Sequence, residues 1–296
     1  MTPDILCIGS VLWDIIGRSS IAMRLGSDVP GRITRLPGGV AMNIAMTLSR
    51  FGLTPALLSA VGQDEEGHEL IAACQRMGMV TDHLYRSEDL PTDRYMAIEG
   101  ANGLIAAIAD AHSLEAAGDK ILRPLADGRL GSEAKPWSGM VALDGNLTVA
   151  LLSEIAHSPL FARADLRVAP ASPGKAERLL PLLNHPTATF YVNLEEAGLI
   201  GHARYETAAD AAEGLLAHGA SHVLVTNGGK TCAEGRRGAG VITAAPPPVM
   251  VTRITGAGDT LMAAHIVAER QGCAREVALA TALQAAAIYV SGEQPS

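Results

Sequence analysis

The feature that most constrains this chain is a regular alternation between residues 140 and 226. Short apolar runs suited to buried strands, Met140–Leu143, Leu166–Val168, Thr189–Val192 and His222–Thr226, are separated by segments of helical spacing at Val149–His157, Pro173–Leu183 and Ala208–His218. Parallel strands need a long crossover, which a helix supplies, so this order predicts an α/β fold with a doubly wound, mostly parallel sheet. The front of the chain begins the same way. Ile5-Leu6-Cys7-Ile8 closed by Gly9-Ser10 has the form of a buried strand ending at a site. Pro37-Gly38-Gly39 introduces a helical pattern over Val40–Phe51, Ala56–Val61 reads as a strand, and Glu65–Met77 reads as a helix stopped by Gly78. A last helical pattern covers Glu276–Val290.

Two stretches break the alternation. Residues 11–36 lose long periodicity and mix Gly, Ser, Pro and Arg, while Tyr95–Asp110 has two apolar arms around Asn102-Gly103, a strong hairpin signal. Together they predict a small sheet standing away from the main one, a β lid over 11–37 and 91–110, with the α/β core built from 1–10, 38–90 and 111–296.

Composition narrows the function classes. The 296 residues are 48% hydrophobic but only 3% aromatic, which suits helix–sheet packing better than an aromatic-cored sandwich. A formal charge of −8 argues against a nucleic-acid partner and leaves room for a nucleotide held locally by backbone. Cys7, Cys74, Cys232 and Cys273 have no CxxC or Cys/His spacing, so neither a zinc site nor a disulfide framework is expected, and a reducing cytoplasm is the expected location. No run of eighteen apolar residues suggests a membrane span.

The chemistry concentrates at Val249–Ala264, VMVTRITGAGDTLMAA. A β-branched run predicts a strand, Thr255-Gly256-Ala257-Gly258 a tight turn, and Asp259 the start of a helix. Backbone N–H groups converging in such a turn, with the helix dipole behind them, form an anion site. A carboxylate on its rim is either an N-cap or a base toward an attacking hydroxyl, and the latter means phosphoryl transfer. Asn193-Leu194-Glu195-Glu196 follows a strand end, where either Glu could hold hydrated magnesium or simply open a capped helix. Thr226-Asn227-Gly228-Gly229 ends another strand and is either a plain turn or a seat for phosphate or ribose. Gly229-Lys230-Thr231 lacks the first glycine of a P-loop, because that position is Leu224, and Gly256-Ala257-Gly258 lacks the third glycine of a dinucleotide fingerprint.

Taken in order, Gly38-Gly39-Val40-Ala41-Met42-Asn43, Asn193-x-x-Glu196, Thr226-x-Gly228-Gly229 and Thr255-Gly256-Ala257-Gly258-Asp259 resemble the PfkB (ribokinase-like) family of small-molecule kinases. The resemblance spans nearly the whole chain and implies a doubly wound core with a small β lid. It implies Asp259 as the base and the amides of Gly256, Ala257 and Gly258 as the anion hole. Asp14, Gly39 and Asn43 would hold substrate hydroxyls; Asn193, Thr226, Gly228 and Thr255 would line the nucleotide site; Glu196 would bind magnesium through water. The implied co-substrate is ATP with Mg2+. Within the family, Tyr95-Met96-Ala97-Ile98, Ile108-Ala109-Asp110, Leu143-Asp144-Gly145-Asn146-Leu147 and Ser172-Pro173-Gly174-Lys175-Ala176 look most like pseudouridine kinases. That likeness adds Tyr95, Asp144, Asn146 and Lys175 to the substrate set and makes a ribosyl 5′-hydroxyl, of pseudouridine first, the expected acceptor. Free sugars or sugar acids (ribose, fructose, 2-keto-3-deoxygluconate) are the alternative within the class, and a silent nucleotide or nucleoside sensor the alternative outside it. A homodimer through the lid is a further expectation. Arg253 stands where the family usually has a cation-ligating Asp, which puts monovalent-cation activation in doubt.

Overall fold

The computed structural model describes residues 2–24, 26–252 and 255–292. In chain order, β1 (Ile5–Ile8), β2 (Leu12–Arg18) and β3 (Arg32–Gly38) lead into α1 (Val40–Arg50), β4 (Pro55–Leu58), β5 (Ala60–Gly62) and α2 (Glu65–Arg76). Next come β6 (Tyr85–Ser87), the hairpin β7 (Arg94–Gly100) and β8 (Gly103–Asp110), and the short helices α3 (His112–Ala117) and α4 (Arg123–Ala126). The second half runs β9 (Met140–Asp144), α5 (Val149–His157), β10 (Asp165–Ala169), β11 (Thr189–Asn193), α6 (Leu194–Ile200), α7 (Ala208–Ala217) and β12 (His222–Thr226). It closes with β13 (Cys232–Arg236), β14 (Gly240–Ala244), α8 (Ala257–Arg270) and α9 (Arg275–Ser291).

Eight strands form the main sheet in the order β14-β13-β12-β11-β10-β9-β1-β4. The strands from β4 through β1 to β12 are parallel, and β13 and β14 add an antiparallel edge that the sequence reading did not contain. Period-two burial explains why the sheet is covered on both faces. Leu6 and Ile8 of β1 enter a core shared with α5, α6 and α7, whereas Ile5 and Cys7 enter the opposite core with α1, α2 and α8. All four are fully buried. The chain grows outward from β1 to β4 on one side and from β9 to β12 on the other, so the switch point lies between β1 and β9. Open α/β sheets bind ligands beyond the carboxyl ends of the strands at such a point, here Ser10 and Asp144.

A second sheet of four strands, β3-β2-β7-β8, stands apart from the first. Its hairpin turns at Ala101-Asn102, with Gly103 at φ 94°, and the Asn102 side chain clasps the backbone of Met23 by accepting from N and donating to O. Asp14 of β2 pairs with Tyr95 of β7 and Leu36 of β3, so these three share one face. Ile15, Ile33, Met96, Ile98 and Ile108 share the other.

Three local expectations differ from the structure. The run Ala56–Val61 is two strands, because the chain leaves the main sheet at Ser59 and β5 pairs with β6 in a small separate sheet. Pro173–Leu182 is a 3-10 helix with Pro181 inside it, since a proline at that position removes an N–H that an α-helix would use. Residues 245–252 carry no strand, because Pro246-Pro247-Pro248 offers no donors for a ladder, and Arg253 and Ile254 lie outside the described residues.

Candidate active site

The site begins at a glycine pair. Gly38 ends β3 directly beneath the Asp14 carboxylate, and Gly39 is the N-cap of α1 with φ 96° and ψ 148°, backed so closely by Ser10 that any side chain would collide with its carbonyl. Through these glycines the four-stranded sheet passes straight into α1, which places Asn43 one turn into the helix. Asp14 is half-buried, and burial raises its pKa to about 6.

Asp144 at the end of β9 is fully buried. Its Oδ2 accepts from Ser10 N at 2.8 Å, Ser10 Oγ at 3.0 Å and Ala41 N at 3.0 Å, and its Oδ1 accepts from Asn146 N at 2.8 Å. Ser10 Oγ in turn accepts from Val40 N at 2.8 Å and from Asn146 Nδ2 at 2.9 Å, while Lys175 Nζ donates to Asn146 Oδ1 at 2.5 Å. Asp144 and Asn146, expected to meet substrate, direct these bonds to Ser10, Ala41 and Lys175 and so tie the turn after β1 to the first turn of α1. Lys175, half-buried at the outer end of this chain of bonds, has its pKa lowered by burial and by the neighbouring Arg178. Ser10 is the residue that sequence reasoning missed, although Gly9-Ser10 at a strand end was the available signal.

On the opposite side, Gly256 adopts the left-handed conformation (φ 89°) and starts α8 with no side-chain cap, leaving the first N–H groups of the helix unclaimed by a capping side chain. Tyr289 Oη lies against Gly256 and donates to Thr255 O at 2.8 Å, so a side chain at 256 would strike the Tyr289 ring. Asp259 follows in the first turn. Burial raises its pKa to about 7, a hydrogen bond with the Asn43 side chain opposes that rise, and the charges of Asp144, Asp14 and Glu196 add to it. Asn43, Asp14 and Glu196 thus all act on the same carboxylate.

At the third corner, Asn193 and Thr226 end β11 and β12 as direct neighbours in the sheet. Asn193 caps α6 in a reciprocal box: its Oδ1 accepts from Glu196 N at 2.9 Å and Glu196 Oε2 accepts from Asn193 N at 2.8 Å. The capped-helix reading is therefore correct, and it leaves Oε1 of Glu196 outside the box, on a carboxyl whose pKa burial raises. Gly228, at φ 56°, turns the chain just beyond Thr226 and is exposed. Carboxylate oxygen beside a helix-start anion hole is the donor chemistry that hard divalent cations such as Mg2+ take.

A doubly wound sheet with a detached β sheet over its switch point, and a half-buried aspartate behind a glycine turn, define an α/β small-molecule kinase. The family model described as pfkB family carbohydrate kinase matches residues 2–296, and the chain belongs to that family, with the ribokinase-like fold. It is 28% identical over 277 residues to pseudouridine kinase of Escherichia coli K12, covering 88% of this chain and 81% of that protein. It is also 28% identical over 299 residues to guanosine-inosine kinase of Exiguobacterium acetylicum, covering 98% and 95%. Among solved structures, ribokinase of Arabidopsis thaliana complexed with ribose and ATP superposes with a TM-score of 0.73 at 20% identity, covering 98% of this chain and 93% of that one. Arg253 lies outside the described residues. Among those described, no helix is long and apolar enough to cross a membrane.

Proposed function

We propose that the protein transfers the γ-phosphoryl group of ATP to the primary 5′-hydroxyl of a ribosyl compound, pseudouridine first. The observation that carries the reading is Asp259: a carboxyl whose pKa burial raises to about 7, beside Asn43 and in the first turn of a helix with no side-chain cap. The acceptor oxygen forms a bond to the γ-phosphorus as the bond to the ADP oxygen breaks, and the hydroxyl proton passes to Asp259. The amides of Gly256, Ala257 and Gly258 meet the charge that develops on the transferring group. Asp14, Gly39, Asn43 and Tyr95 hold the acceptor, Lys175 meets the nucleobase edge, and Asp144 and Asn146 brace these through Ser10 and Lys175. Asn193, Thr226, Gly228 and Thr255 line the nucleotide side. Glu196 would hold Mg2+ through water, which supplies charge neutralisation for the phosphates.

Two relatives named for nucleoside kinases, each covering most of both chains, favour a nucleoside over a free sugar. ATP as donor is supported by the ribokinase complex that shares the fold. The detached sheet acts as a lid that excludes water, and its outer face, with Ile33 78% and Ile108 68% exposed, is the surface for a homodimer. Four free cysteines, three of them buried, fit a reducing cytoplasm. With Arg253 in place of the usual cation ligand, sodium and potassium buffers should support equal rates.

A panel of pseudouridine, uridine, ribose, fructose and 2-keto-3-deoxygluconate, with ATP and Mg2+ and ADP release as readout, tests the reading. Pseudouridine should give the highest kcat/KM, and equal or better use of a sugar would overturn the nucleoside assignment. Absence of turnover with every acceptor would favour the sensor.

A further inference from the structure

The far half of α8 carries a buried polar lattice that the chemistry above leaves unused. Glu269 accepts from Arg167 Nη1 of β10 through one carboxylate oxygen, and from Arg236 Nη2 of β13 at 2.7 Å through the other. Arg167 also donates to Tyr191 Oη of β11 at 3.2 Å, and Tyr191 Oη pairs with His265 Nδ1 at 2.9 Å. An arginine can only donate, so Tyr191 Oη accepts from Arg167, and the same oxygen shares one hydrogen with His265 Nδ1. Burial lowers the His265 pKa to about 4, which keeps the ring neutral. Arg270 closes the end of the helix on Asp4 beside β1. His222, His265 and Glu269 bring ligand atoms within 4.8 Å of one another. Arg167 and Arg236 already occupy both oxygens of Glu269, so a cation has no place there.

Among the described residues, the near end of α8 is held by Tyr289 Oη on Thr255 O and by Asn43 beside Asp259, with no ion pair. It has no side-chain cap, and Asp259 faces three other carboxylates whose charges oppose its own. Between the two ends the buried apolar residues are Leu261, Met262, Ala263, Ala264, Ile266 and Ala268. Apolar contacts have no preferred direction, whereas ion pairs and a tyrosine–histidine bond hold one register. Glu269 lies ten residues beyond Asp259, about 15 Å along the axis at the helical rise.

We infer that Arg167, Tyr191, His265 and Glu269 are positioning residues, a lattice that sets the axial register of α8 and so holds Asp259 against Asn43 at the opposite end of the helix. This rests on Asp259 being the base. The test compares wild type with Glu269→Gln by hydrogen exchange of the α8 amides from Asp259 to Ala263, and by the pH dependence of kcat with the best acceptor from the panel. Glu269→Gln should speed exchange of these amides about tenfold, lower kcat about tenfold with KM for ATP within twofold, and move the acid limb of the profile downward as Asp259 gains water. Tyr191→Phe, which keeps the ring and removes only the link between Arg167 and His265, should shift the same readouts about threefold, and it serves if Glu269→Gln does not fold. Wild-type exchange in these amides overturns the inference, as does a lowered melting temperature with kcat and the acid limb unmoved. If wild type phosphorylates no acceptor, the kinase reading of Asp259 fails separately and the exchange experiment still decides whether the lattice holds the helix.

Discussion

Asp14 lies over the bare α-carbon of Gly38, so close that a β-carbon there would overlap every atom of the carboxyl group. The acceptor side of the cleft therefore depends on a residue with no side chain. Gly38→Ala should push Asp14 out of place and raise KM for the acceptor at least tenfold, with KM for ATP changed less than twofold. Steady-state kinetics in both substrates checks this, and equal loss for both would assign Gly38 to general stability.

Asp259→Asn should abolish turnover, since a lost general base typically costs about two to four orders of magnitude. Nucleotide binding, measured by calorimetry, should survive. A fall in kcat below tenfold would remove Asp259 from the role of base.

The same substitution has a stability signature with a definite sign. The folded-state pKa of Asp259 is raised from 3.8 to about 7, so between these values the folded chain holds a proton that the unfolded chain has released. Stability from this group is accordingly lost as pH rises through that window. Asparagine, always neutral, should raise Tm by about 2–4 °C at pH 8 and by clearly less at pH 5, where only the first part of that loss has set in. Scanning calorimetry at the two pH values measures the difference.

Glu196→Gln separates the two jobs of one side chain. Glutamine preserves the reciprocal cap with Asn193, so Tm should hold. The charge is lost, and the magnesium concentration for half-maximal rate should rise several-fold. An unchanged titration would move that role to Glu195.

Ile33 and Ile108 stand on the outer face of the lid sheet, away from Asp14 and Tyr95. Ile108→Lys should convert a dimer to a monomer in sedimentation velocity, because a buried lysine at an apolar contact goes unpaired. A monomeric wild type would withdraw the interface.

The parts of this molecule that were legible in its sequence are those governed by local chemistry. The alternation from Met140 to Thr226 fixed strand and helix order, and the turn Gly256-Ala257-Gly258 before Asp259 was readable because left-handed backbone demands glycine at its start. Residues whose role depends on distant partners were not. Asp144 and Asn146 are assigned to substrate on sequence because nothing in their neighbourhood announces Ser10 and Ala41, and Arg167 and Glu269 draw no reading because their partners come from β10, β11 and β13. The run Val249–Ile254 misled through its β-branched composition, which the three prolines before it outweighed at residues 245–252.

The Asp144 carboxylate joins Ser10, 134 residues earlier, to Ala41, 103 residues earlier. During synthesis the ribosome therefore releases β1, α1 and the whole lid before the group that fastens them has been made. Until then the amides of Ser10 and Ala41 have only water for a partner. Asp259 emerges later still, so Asp14, Asn43 and Asp259 come together only after both β9 and α8 have been made. A nascent chain stalled before β9 would display the β3-β2-β7-β8 sheet with no Asp144 to fasten it.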